Sequence, residues 1–140
     1  MSATFEHVPY ERAHLDGVIA LCVAEGWPNF PEDPERAHRT LTAPGVTTVV
    51  ALDGERVVGF AQVQSDGEIQ AHLSSIAVDR SLRRSGVGRE LVARAFALAG
   101  GIRIDLITDS AEDFYEAFAH RRKEGFRIYP QYTQDDIDNN

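Results

Sequence analysis

Six consecutive residues, Arg83-Arg84-Ser85-Gly86-Val87-Gly88, have the make-up of an anion site. The arginines bring fixed positive charge, and the glycines let an anion approach the backbone closely. If a helix begins here, its unpaired N–H groups and partial positive charge add to the attraction. Between Arg80 and Arg94 five arginines stand against one acid, Glu90, in a chain whose net charge is -8. A basic island on an acidic protein suits one anion better than a polyanion. Taken alone, the run also fits a solvated helix start. No Gly-Lys-Ser/Thr follows it and no G-x-G-x-x-G contains it, which argues against a P-loop and a dinucleotide site.

Other reactive side chains are sparse. The five histidines lack His-x-x-His spacing, so no metal site is expected. Cys22 is the single cysteine. It excludes an internal disulfide and a cysteine zinc cluster and fits a reducing, cytoplasmic setting. It has no basic neighbour in sequence to make it nucleophilic. His72 could relay a proton, since histidine titrates near ~6.5; a histidine on the solvent side of a sheet is the plainer reading.

The elements that must position these residues follow from periodicity. Thr4–Val8 alternates as a first strand, and Ala13–Glu25 carries Leu15, Val18, Ile19 and Cys22 at helical spacing. Two prolines and a glycine within residues 26–31 exclude regular structure there. Asp33-Pro34 is an N-cap followed by proline at the first helical position, opening a second helix to about Leu41. Three strands, 46–52, 56–64 and 69–78, are punctuated by Asp53-Gly54 and Asp66-Gly67, as in an antiparallel meander. Leu91, Val92, Ala95, Phe96, Leu98 and Ala99 form the broad apolar face of a helix that Gly100-Gly101 ends. A strand over 102–107, a helix over 111–119 and a last strand over 125–132 complete the order β-α-α-β-β-β-α-β-α-β. This is a single α/β domain with a mixed, mostly antiparallel sheet flanked by helices. The strand–helix–strand crossing from Ile76 to Ile107 should be parallel and right-handed.

The third meander strand contains an irregularity. Ile69, Ala71 and Leu73 share one parity, whereas Ile76 and Val78 take the other. The phase slips at Ser74-Ser75, as a β-bulge would make it do, and bulges splay strands near active sites. Chance breaks of parity at small polar residues look the same. His72 lies just before the slip, on the polar parity with Gln70 and Ser74.

The strand Ile76-Ala77-Val78, four intervening residues and then Arg83 to Gly88 resemble the acyl-CoA signature of the GNAT superfamily of N-acetyltransferases. Ala111-x-x-Phe114-Tyr115-Glu116 resembles that family's later A-x-x-F-Y-E segment. The resemblance covers about residues 46–127. It implies that the pyrophosphate of acetyl-CoA rests on the backbone N–H groups from Arg84 through Arg89. The pantetheine arm would then pair along Ile76, Ala77 and Val78 like an added strand, in a V-shaped gap opened by the bulge. The cofactor residues it implies are Ile76, Ala77, Val78, Arg83, Arg84, Ser85, Gly86, Val87, Gly88 and Arg89. Tyr115 would assist the departing thiolate, the N–H of Ile76 or Val78 would hold the oxyanion, and His72 would be the base, with Asp109 and Glu25 as weaker alternatives. Trp27 and Phe30 would border the acceptor. Two departures stand out. Glycine is common in the family where Arg84 stands, and Gly125-Phe126 follows Tyr115 by ten residues rather than about five.

The implied activity is direct acetyl transfer from acetyl-CoA to an amine, with no acyl-enzyme and no metal. The acid excess would favour a cationic acceptor. A non-catalytic acyl-CoA-binding regulator and a binder of small anions or nucleotides are the alternatives. Composition sets the outer bounds. With 43% hydrophobic and 26% charged residues the chain is not a disordered one. No apolar run reaches the ~18 residues of a membrane span, no secretory leader is expected, and the net charge argues against nucleic acid. One domain over 1–134 and a flexible acidic tail over 135–140 are expected; a homodimer fits a family whose members often pair.

Overall fold

The computed structural model describes residues 5–139. The chain forms two compact units that meet in sequence at Leu106 and Ile107. The first holds the sheet. Strands β1 (Glu6–Pro9), β2 (Val46–Asp53), β3 (Arg56–Ser65), β4 (Gln70–Val78) and β5 (Arg103–Asp105) lie side by side in chain order. All neighbours are antiparallel except β4 and β5, which are parallel. The strand–helix–strand crossing therefore makes the parallel pair expected of it. Of the first predicted strand, Thr4 lies outside the described residues.

Helix α1 (Leu15–Glu25) follows a short 3-10 turn, α2 (Asn29–Glu32) is a single turn, and α3 spans Pro34–Leu41. Asp33 caps α3 as its sequence predicts: the Arg36 N–H donates to Asp33 Oδ1 at 3.1 Å, with Pro34 just inside the helix. The α2 turn was not expected across two prolines. Pro31 is tolerated because the first turn of a helix leaves its N–H groups without intrahelical partners, so a missing donor costs nothing there.

The sheet has two differently packed faces. Phe60, Val50, Val57 and Ala77 join Val18, Leu21 and Leu41 of α1 and α3 in one core cluster. The other face receives α4 (Val87–Ala99), which buries Val87, Leu91, Val92 and Ala95. Gly59 permits that approach: a Cβ on it would lie 2.9 Å from Leu91 Cδ1 and 3.2 Å from the Ala77 carbonyl oxygen.

The second unit departs from the sequence reading. Helix α5 covers only Glu112–Glu116, shorter than the 111–119 expected. No strand forms over 125–132, where Phe126 is 86% and Ile128 77% exposed. Alternation is a local signal, whereas a strand exists only by pairing, and no partner strand is supplied to this one. The acidic tail carries a capped turn, α6 (Gln134–Asp138), in which the Thr133 N–H donates to Asp136 Oδ2 at 2.8 Å and the Thr133 hydroxyl accepts from the Asp136 N–H.

Candidate cofactor and transfer site

The phase slip in β4 is a real bulge. Gln62 pairs with Ser75 and Val63 with Leu73, leaving Ser74 as the extra residue. Its hydroxyl accepts from Gln64 Nε2 at 2.9 Å. Because one residue is inserted, Ala71, Leu73, Ile76 and Val78 all face the α4 side although their parity changes.

The bulge coincides with the end of the parallel pairing. Among the described residues β4 meets β5 only from Gln70↔Arg103 to His72↔Asp105. From Leu73 onward β4 is paired with β3 alone. The Asp79 N–H donates to the Val58 carbonyl at 2.8 Å, toward β3. Alternation along the strand then aims the N–H groups of Ile76 and Val78 the other way, at the edge β5 does not cover. Ala77 is buried, and Ile76 and Val78 are half-buried.

Beyond β4 the chain makes a 3-10 turn over Arg80–Leu82, capped by Asp79, whose carboxylate accepts from the Ser81 N–H at 2.9 Å and from the Ser81 hydroxyl at 2.6 Å. These bonds from Ser81 hold the Asp79 carboxyl below its ordinary range. The Ser85 hydroxyl donates to the Leu82 carbonyl. The loop then enters α4 through Gly86, whose φ of 91° is a left-handed conformation. No side chain caps α4, so the N–H groups of its first turn face outward from a helix start. Arg84, Ser85, Gly86 and Arg89 are exposed and Gly88 half-buried, while Val87 is buried as the helix's first core residue.

Arg84 is the only non-glycine residue with positive φ among those described, at 66°. A left-handed conformation costs a residue with a Cβ about 1–2 kcal/mol, which accounts for glycine being common here in the family. Arg84→Gly is expected to raise Tm by about 2–3 °C, once glycine's own entropy cost is subtracted. It should weaken binding of coenzyme A, since a positive side chain is lost; differential scanning fluorimetry with and without the ligand checks both.

The arginines before this point are tied to α1. Arg80 Nη2 donates to the Ala24 carbonyl at 3.0 Å, and Arg83 Nη2 donates to Glu25 Oε1. Both acceptors lie at the C-terminal end of α1, where carbonyls are unsatisfied and the helix is partially negative. This tie has no local signal in the sequence, because 58 residues separate Glu25 from Arg83.

His72 is exposed on β4, opposite Gln64 on one side and Asp105 on the other. Trp27, 39% exposed, lines an apolar cleft of about 380 Å³ with Val23, Gly26, Pro28, Pro31 and Glu32. Phe30 packs instead against the core cluster. Cys22 is 2% exposed and burial pushes its thiol up to about 11, so it is held as the inert thiol. Among the described residues no three His, Cys, Asp or Glu side chains gather as a metal site requires.

In the second unit Tyr115 lies on α5, edge-on to Phe114 with ring centroids 4.9 Å apart. Burial pushes its phenol above the usual tyrosine range. Asp109 lies exposed just before that helix.

Comparison with known proteins matches this geometry to a class. The sequence profile described as the acetyltransferase (GNAT) family matches residues 12–126. The chain belongs to the GNAT family of acetyltransferases. A mycothiol acetyltransferase of Rhodococcus erythropolis is 40% identical over 47 residues, which span 34% of this chain and 16% of that protein. The aminoglycoside N-acetyltransferase AAC(6')-Iy, solved in complex with CoA, superimposes with a TM-score of 0.78 at 18% identity, covering 95% of this chain and 98% of its own. A provisionally assigned acetyltransferase of Deinococcus radiodurans R1 gives a TM-score of 0.74 at 28% identity, over 93% and 91% of the two chains. These likenesses bear out the α/β fold, with its mostly antiparallel sheet between helices. Among the described residues no helix is long and apolar enough to cross a membrane.

Proposed function

We propose that this GNAT acetyltransferase transfers the acetyl group of acetyl-CoA directly to an amine. The single observation carrying the reading is the bulge at Ser74, which leaves the N–H groups of Ile76 and Val78 facing an uncovered strand edge. That edge continues into a glycine-bearing, arginine-flanked helix start. In this reading the pyrophosphate takes the backbone N–H groups of the loop from Arg84 through Arg89, with Arg83 adding charge. The pantetheine arm runs antiparallel or parallel to Ile76–Val78 as an added strand. The thioester oxygen then meets an N–H of Ile76 or Val78, which stabilises the oxyanion as it forms.

The acceptor must arrive as a free amine. An alkylammonium has a pKa near ~10.4, so only about one molecule in 10³ is neutral at pH 7. His72, through water, takes the proton that the amine carries. Tyr115 is the hydrogen-bond donor to the departing sulfur. A thiol titrates near ~8.5 and an unperturbed tyrosine near ~10, so full proton transfer is uphill by about 2 kcal/mol. Burial raises the phenol further, which keeps it protonated and makes it a donor rather than an acid. Tyr115→Phe is accordingly expected to lower kcat about 10-fold, not 10⁴-fold. Steady-state kinetics with a thiol-release readout decide it. The apolar Trp27 cleft with Glu32 at its rim, on a chain of net charge -8, favours a cationic acceptor with an apolar body.

Thermal unfolding with coenzyme A and with ATP as control tests the cofactor reading. Ligand at 100 times Kd adds about 2.7 kcal/mol, which for a chain of this length is a rise of about 9 °C. A rise with coenzyme A and none with ATP supports it. Release of thiol from acetyl-CoA on addition of an amine then separates an enzyme from a binding module.

A further inference from the structure

We infer that Glu25 is a positioning residue that couples the cofactor loop to the Trp27 cleft by sharing Arg83. This rests on the reading that the loop holds the cofactor's pyrophosphate. Arg83 Nη2 donates to Glu25 Oε1, and beside it Arg80 donates to the carbonyl of Ala24. The Arg83 side chain is 50% exposed and that of Glu25 20%. The guanidinium can therefore turn into solvent, whereas the carboxylate is held at the end of α1.

That end is built on two backbone hydrogen bonds. The Gly26 N–H donates to the Val23 carbonyl at 3.0 Å and the Trp27 N–H to the Cys22 carbonyl at 2.9 Å. Gly26 takes a left-handed φ of 75°, so the chain leaves the helix sharply. Trp27 thus follows Glu25 by two residues and is positioned by the same helix end. It is also the only tryptophan in the chain.

An anion at the glycine loop and the Glu25 carboxylate compete for one guanidinium. A pyrophosphate carries more charge than a carboxylate and presents more acceptors, so it draws Arg83 from Glu25. Glu25 is then left as an unpaired carboxylate two residues before Trp27, where it attracts a cation. An ammonium group on the acceptor supplies that charge. Cofactor anion and cationic acceptor are thereby linked with a positive coupling, each favouring the other's binding.

The experiment titrates coenzyme A into wild type, Glu25→Gln, Arg83→Gln and the double variant. Calorimetry reads the dissociation constant, and Trp27 fluorescence reads the cleft. Removing the competing carboxylate is expected to tighten coenzyme A binding about 3- to 5-fold. It should leave binding unchanged in the Arg83→Gln background, since the shared group is gone. The Trp27 signal on saturation should appear in wild type and fall by more than half in Glu25→Gln, whose tie is already open. Glu25→Asp, which keeps the charge on a shorter arm, should shift both readouts in the same direction and serves if the amide disturbs the helix end. Unchanged or weaker binding by Glu25→Gln, equal effects in both backgrounds, or a wild-type Trp27 signal indifferent to coenzyme A overturns the inference. An absence of binding heat in wild type instead overturns the cofactor reading beneath it.

Discussion

Deletion of Ser74 is expected to give a folded protein that transfers acetyl groups about 10²-fold more slowly. The deletion is a gentle one for the sheet. Leu73 already pairs with Val63 and Ser75 with Gln62, so removing the residue between them restores a regular ladder. No side chain changes face, because Ser74 is the supernumerary residue. The hydrogen bond from Gln64 Nε2 to the Ser74 hydroxyl is lost, a cost of about 1 kcal/mol. What disappears is the local twist that turns β4 away from β5. In the proposed mechanism that twist makes room for the pantetheine arm, and a reacting carbonyl displaced by about 1 Å loses its alignment with the oxyanion donor. Circular dichroism should show an intact fold while kcat/KM collapses. Activity within about 3-fold of wild type would show that the bulge does not shape the site.

The largest stability effect is expected at Phe60. Phe60→Ala should destabilise the protein by about 3–5 kcal/mol. Phe60 is the largest of the fully buried side chains, with no solvent exposure, and it joins β3 to the core beneath α1 and α3. Val50 and Ala77 flank it on the neighbouring strands, directly opposite in register. Sheet and helices meet around it, so the cavity cannot collapse without moving a strand. With about 2.1 cal/mol/K of unfolding entropy per residue, the loss corresponds to a fall in Tm of about 10–17 °C. Scanning calorimetry checks it. A fall of less than about 5 °C would mean that α1 and α3 can repack on the strand.

Some of this was legible in the sequence for definite reasons. The Ser74 bulge was readable because a strand has a period of two, and one inserted residue leaves a visible slip. The start of α3 was readable because capping chemistry is local: Asp33 and Pro34 carry it within two residues. The parallel pair β4 and β5 followed from the helix that must lie between them. Other features rest on distant partners. Arg83 and Glu25 meet across 58 residues, and neither has a neighbour in sequence that announces the other. The strand expected over 125–132 had the right alternation, but alternation cannot supply a partner. The α2 turn is masked by its prolines, which break a helix interior but are tolerated in a first turn. The left-handed backbone at Arg84 was masked by the arginine itself, whose bulk argues against the conformation it adopts.

The exposed stretch at 125–132 also bears on the protein's lifetime in a cell. Phe126 and Ile128 present apolar side chains from backbone that no ladder protects. Such a segment is what holdase chaperones bind and degradative proteases enter, without any need for the sheet to unfold. Arg127 between them acts as a gatekeeper, since a charge in the middle of an alternating run opposes stacking of like segments. In the proposed mechanism chemistry depends on the bulge in β4, whereas susceptibility to turnover would be set at the unpaired stretch 125–132.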